Sequence, residues 1–240
     1  MTAELFLLPL GVAAGAVTQR VTGIGFALVS APLLVLVVGP FQGVVLANLL
    51  SLLVSIGVFA STWRQTEWRR GVLLAMPALA AIPLGAMVAT RVPAPILMVI
   101  IGSLVVLALG AVQLSTRARV LRGPQGALAA GAASGFMNVT AGVGGPAMVL
   151  YAVSTDWDHR RFVATFQFYS IFVNLACLLA KGLPQISRPA LLASLGALGV
   201  GLAAGGLLSR RVNAEQAKRA ILVLALAGAL STVAKGVVTW

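Results

Sequence analysis

Apolar runs of roughly 20 residues follow one another along this chain, parted by short connections that carry nearly all of its charge. A run of that length is what a helix needs to cross the hydrocarbon core of a bilayer, where every backbone N–H and C=O must find its partner within the protein. Uninterrupted runs cover 44–62, 72–90, 96–114, 162–180, 189–208 and 220–238, and two longer ones, 5–38 and 124–153, are broken by clusters of glycine. Composition agrees, since 60% of the residues are hydrophobic and 9% charged, against about 45–50% and about 25% in soluble domains. The expected fold class is all-α: a polytopic integral membrane protein with no separate soluble domain.

The net charge of +12 arises from 17 Lys+Arg against 5 Asp+Glu. In a soluble chain this balance would point to nucleic acid. Here the basic residues sit in the connections, where they orient helices in the bilayer, so the partners expected are lipid and a small anionic substrate, with no nucleic acid. Cys177 is the one cysteine and His159 the one histidine, which leaves no disulfide, no metal cluster and no cofactor to expect. Glu4 and the lack of Lys or Arg before 5–17 are unlike the basic start of a cleaved signal, so this segment is read as part of the mature protein. Homodimerisation stays open.

The two interruptions resemble each other. Val21-Thr22-Gly23-Ile24-Gly25 answers Val139-Thr140-Ala141-Gly142-Val143-Gly144 with one residue inserted, and Arg91-Val92-Pro93-Ala94 answers Arg211-Val212-Asn213-Ala214 at a spacing of 120. Together they predict two four-segment repeats, 1–120 and 121–240, within one membrane domain, each opening with a broken or re-entrant helix pair.

Charge placement bears on how the units cross. If every unit is one span, nine basic residues fall on one side and seven on the other, which barely orients the protein. If the broken units enter and leave on one side, that division changes: Arg64, Arg69, Arg70, Arg117, Arg119, Arg122, Arg160, Arg161, Arg210, Arg211, Lys218 and Arg219 share a side, and Arg91, Lys181, Arg188 and Lys235 the other. Twelve against four fits the positive-inside rule far better. Arms such as 5–17 and 26–38 would each be about 20 Å long, enough to reach mid-membrane and turn back. The reading is therefore of inverted repeats with both termini outside the cytoplasm.

Chemistry must rest on few residues. Arg20 is the one basic residue inside an apolar unit, a costly position, and no carboxylate lies in a span to pair with it. Its guanidinium fork suits an oxyanion; the alternative is that it caps helix carbonyls or snorkels to the interface. Gly23, Gly25, Gly142, Gly144 and Gly145 let backbone approach a ligand, and helices restarting at Phe26 and Pro146 would aim their N–H groups at one spot. Gln19, Thr22, Asn138 and Thr140 flank the breaks. Asn48, Ser51 and Ser55 in the second unit and Gln167, Tyr169 and Asn174 in the sixth are the other polar residues within spans; Asn48 and Gln167 stand 119 apart and are expected to face a central site. The substrate-binding set expected is thus Arg20, Gln19, Thr22, Gly23, Gly25, Asn48, Asn138, Thr140, Gly142, Gly144, Gly145 and Gln167.

With its paired glycine-rich breaks, Pro32, Pro146 and the Arg91-Val92 pair, the chain resembles the TauE/SafE family over nearly its whole length. The resemblance implies a multi-pass transporter of a bacterial inner membrane that moves sulfite or a small organosulfonate or sulfur-containing carboxylate, with Arg20, Asn138 and the breaks forming the anion site. Alternating access between the repeats is the mechanism expected, and a passive anion channel is the alternative. No nucleophile and base, and no metal set, lie together in the spans, so an enzyme is not expected.

Overall fold

The computed structural model describes residues 2–114, 121–208 and 214–239. Arg117, Arg119, Trp240 and segment 209–213, with Arg210 and Arg211, lie outside the described residues. Each uninterrupted run becomes one helix, as its unbroken hydropathy requires: α3 (Pro40–Thr62), α4 (Trp68–Arg91), α5 (Ala94–Leu114), α8 (His159–Lys181), α9 (Arg188–Leu208) and α10 (Ala214–Val238). The broken runs split into α1 (Thr2–Thr22) with α2 (Phe26–Val38), and α6 (Gly123–Ala141) with α7 (Gly145–Ser154). Among the described residues six helices, α1, α3, α4, α5, α8 and α9, are long and apolar enough to cross a membrane, and the apolar part of α10, Leu222–Val238, is shorter. Leu84, Leu107, Leu192, Val200 and Leu207 stand exposed around the outside, and Leu179 is 80% exposed. Only a lipid surround satisfies such a belt.

Both broken units are hairpins. Ser30 Oγ of α2 donates to Gly11 O of α1 at 3.0 Å, and Gly15 faces Phe26 and Ser30, so α2 folds back along α1. Arg122, just before α6, donates through Nε to Ser154 O at the end of α7 at 3.1 Å and pairs with Asp156 at 3.7 Å. The second hairpin therefore leaves by the end at which it entered.

The connections sort accordingly. At one end, Glu67 receives the Trp157 Nε1–H at 3.1 Å, pairs with Arg161 at 3.8 Å, and gives its backbone N–H to Thr165 Oγ1 at 2.9 Å. At the opposite end, Gln185 N–H donates to Gln42 Oε1 at 2.8 Å and Lys235 Nζ to Leu36 O at 2.9 Å. Were every unit one span, Glu67 and Arg161 would sit at opposite ends; instead they touch. The first is the basic end of the bundle.

The arm over 26–38 is found as α2 with the bounds expected, whereas the leading arms are longer than expected. α1 is 21 residues, about 31 Å, because helix continues through Thr18 and Thr22, whose hydroxyls bond back to Ala14 O and Thr18 O at 2.8 and 2.9 Å. The break shrinks to Gly23–Gly25. Its tip lies against Val163, early in α8 near the basic end, whereas the Gly142 tip lies against Ala31, Val44 and Ala47 toward the opposite end. The two breaks come together where Gly145 faces the Ile24 carbonyl.

Glycine is what allows the helices this close. A Cβ on Gly131 or Gly135 of α6 would strike Leu74 O or Ala78 O of α4, and one on Gly201 of α9 would come to 2.8 Å from Ala13 O of α1. Small residues let helix backbones touch in lipid, where dispersion and hydrogen bonds, not water exclusion, drive association.

Candidate anion site

The two breaks adopt one backbone conformation 119 positions apart. Gly23 has φ +82° and Gly142 φ +72°, the left-handed region that glycine enters without penalty. The N–H of each closes the preceding helix, onto Gln19 O at 2.7 Å and Asn138 O at 2.9 Å. Gly25 (φ −94°, ψ −5°) and Gly144 (φ −93°, ψ −17°) then start α2 and α7. Gly23 thus takes the conformation of Gly142, and Gly25 that of Gly144, the glycine pairs that the sequence comparison sets against each other.

Between the tips lies a small cavity of about 40 Å³, lined by Gln19, Ile24, Phe26, Ala27 and Leu28 from the first hairpin and Asn138, Val143, Gly144 and Gly145 from the second. α3 adds Ser51, Val54 and Ser55, and α8 adds Phe166, Gln167, Ser170 and Asn174. This volume holds a few waters or a very small ion. None of these lining residues carries a charge.

Hydrogen bonds fix the walls. Gln19 bridges the first break, accepting the Phe26 N–H at 3.1 Å and donating to Gly23 O at 2.7 Å, and Gln167 Nε2 reaches across from α8 to the same carbonyl at 2.8 Å. At the second break Ser134 Oγ donates to Gly144 O at 2.7 Å and receives the Tyr169 hydroxyl at 2.8 Å. Asn138 Nδ2 donates to Asn174 Oδ1 at 3.0 Å, with Cys177 Sγ at 3.6 Å, and Asn174 Nδ2 to Ser170 O at 2.8 Å. Lys181 Nζ caps Val139 O at 2.7 Å. Among the described residues, Ser51 Oγ in the cavity wall is buried without a partner, as are both amide atoms of Asn48 one turn away.

A second, larger space of about 600 Å³ opens from the basic end. Asp156, Trp157 and His159 stand at its mouth, Thr22 and Gly25 at its inner wall, and Pro146 and Val149 opposite. Ile24 and Leu28 line both spaces, so these two side chains separate the vestibule from the small cavity.

Of the residues expected from sequence, Gln19, Asn138, Gly144, Gly145 and Gln167 line the cavity, and Thr22 and Gly25 line the vestibule. Gly23 and Gly142 make the turns. Thr140 spends its hydroxyl on Phe136 O at 2.6 Å, and Asn48 is buried beside the cavity without lining it. Arg20 is the departure: it is exposed, beside Gly205 and Gly206 of α9, one turn before that helix ends at Leu208. Adjacent helical residues do not share a face, so with Gln19 turned inward Arg20 turns outward, within reach of the basic interface. Ser51, Ser55, Ser170 and Asn174 were not in the expected set. The signal for them was present: Asn48, Ser51 and Ser55 on α3 repeat as Gln167, Ser170 and Asn174 on α8, each pair 119 apart and spaced to share one helix face.

The family model described as Sulfite exporter TauE/SafE matches residues 7–232 of the 240-residue chain. Neither the curated proteins nor the solved structures compared with it give a match.

Proposed function

Since the chain belongs to the sulfite exporter TauE/SafE family and is a multi-pass membrane transporter, we propose that it carries sulfite or a small organosulfonate by alternating access through the cavity between the hairpin tips. The observation that carries this reading is the cavity itself: two glycine breaks of one conformation border a space whose polar groups are hydroxyls, amides and helix starts. Oxyanions are bound by such donors. Gln19, Ser51, Ser55, Asn138, Gly144, Gly145, Gln167, Ser170 and Asn174 are the proposed binding residues, Thr22 and Gly25 line the approach, and Arg20 has no binding role.

The mechanism follows from inverted repeats, residues 1–120 and 121–240, working within one membrane domain. Helix pairing supports them, for α1 packs mainly on α9 as α6 does on α4, while α3 with α8 and α5 with α10 pair across the halves. In this reading α3, α4 and α5 cross in one half and α8, α9 and α10 in the other, each set beside one hairpin, an odd count that inverts one half relative to the other. With the basic end in the cytoplasm of a bacterial inner membrane, the vestibule is an inward-facing approach. The far side is closed where the Gly142 tip packs on Val44 and Ala47. Transport requires Ile24 and Leu28 to part on one side and the second tip to withdraw from α3 on the other.

Counterflow in proteoliposomes tests the reading. Labelled sulfite uptake should saturate and accelerate when unlabelled sulfite is loaded inside, and Gln167→Leu should suppress it. Flux linear in concentration without trans-stimulation identifies a passive channel; no flux overturns the proposal. For orientation, cysteines at Arg64 and Arg160 should label from the cytoplasmic face and one at Gln185 from the other, in a Cys177→Ser background.

A further inference from the structure

The charge of the cavity wall narrows the substrate. We infer that the site takes monoanions and rejects dianions, so that sulfite is carried as hydrogen sulfite. This rests on the transporter reading above and deepens it.

No lining residue of the cavity is charged. The two cationic residues nearest the breaks are otherwise disposed: Arg20 is exposed against α9, and the Lys181 ammonium is held on Val139 O at 2.7 Å. What remains positive is the pair of helix starts at Phe26 and Gly145, both in the wall, each worth about half an elementary charge. Together they offset about one negative charge. Neutral donors complete the shell, including Ser51 Oγ, which is buried and has no protein partner among the described residues. Desolvation cost grows with the square of the charge, so a dianion costs about four times as much to bury as a monoanion, and nothing in the wall answers the second charge. By charge, hydrogen sulfite and simple alkanesulfonates suit this wall; sulfate and sulfite dianion do not.

One consequence concerns energetics. No Asp, Glu or His lines the cavity to relay a proton, and none is needed: each cycle moves one negative charge, which an inside-negative potential drives outward. The proton of hydrogen sulfite travels on the substrate.

Competition against labelled sulfite binding by the purified full-length protein, across a pH series, tests the inference with three probes. Methanesulfonate, a monoanion throughout, should compete with the same affinity at every pH. Sulfite's own apparent affinity should fall about tenfold per pH unit above the pKa of hydrogen sulfite, as the competent fraction falls. Sulfate should not compete. Sulfate competing as well as methanesulfonate overturns the inference, and so does sulfite affinity that stays flat with pH. A methanesulfonate profile that bends like that of sulfite overturns it too, because a protein group would then be titrating: His159 or Asp156 at the vestibule, Glu67 behind them, or Tyr169, Cys177 or Lys181 behind the second tip. Absence of any anion binding overturns the transporter reading instead, so the two failures are distinguishable.

Discussion

At the first hairpin tip the Gly23 carbonyl accepts two amides, Gln19 from its own arm and Gln167 from α8, whereas the second tip is held by the Ser134 and Tyr169 hydroxyls and by Lys181. Asn48, which stands on α3 where Gln167 stands on α8, bonds to nothing among the described residues. One backbone turn is therefore secured in two ways. The turn needs only glycine at positive φ; the side chains that brace it are free to differ, and their difference marks which tip is locked. A cycle in which the bracing exchanges would have Asn48 engage the second tip when Gln167 releases the first.

Gly23→Val should produce the largest effect. A β-branched residue at φ +82° is strained by roughly 1–3 kcal/mol, and its Cβ would stand 3.0 Å from Val163; folded yield and thermal unfolding in detergent should both drop, and Gly142→Val should do the same. Equal tolerance at the two sites would mean that the tips are not equivalent turns. Gln167→Leu removes one of two donors to Gly23 O and should cost about 0.6–1.7 kcal/mol while reducing sulfite flux far more than stability. If flux survives, the first tip does not need bracing from α8.

Asn48→Leu separates the tips further. Deleting two unpartnered buried polar atoms should leave thermal stability equal or raise it by about 1 kcal/mol, yet counterflow should slow because the second tip loses its brace in the other state. A destabilised variant with normal counterflow would remove the exchange from the cycle. Arg20→Gln should do least, within about 0.5 kcal/mol in stability and with sulfite affinity unchanged. Lost affinity would return Arg20 to the binding site and contradict the charge-free wall.

Much of this was legible in the residues themselves. Long apolar runs give helices because lipid leaves the backbone no other partner, and the glycine clusters announce breaks because no helix prefers them. Where a break begins was not legible: Thr18 and Thr22 look like breakers in sequence, but their hydroxyls fold back on the helix and extend it. Arg20 poses a related difficulty. Cost in lipid flags a residue as special without saying which way it points, and one step of about 100° separates the inward Gln19 from the outward Arg20. Ser51, Ser55 and Ser170 are too common as residue types to stand out singly, and only their place between the two tips gives them a role.

Hydropathy and glycine placement by themselves determined that the chain lives in a membrane, which stretches are helical, and that two of them are broken, since those depend on local free energies. The exact extent of each arm, the outward turn of Arg20, and a cavity without a charged side chain were decided by tertiary structure. They depend on which faces of distant helices meet, and glycine contacts such as Gly131 on Leu74 and Gly201 on Ala13 fix those faces through packing that no local signal encodes.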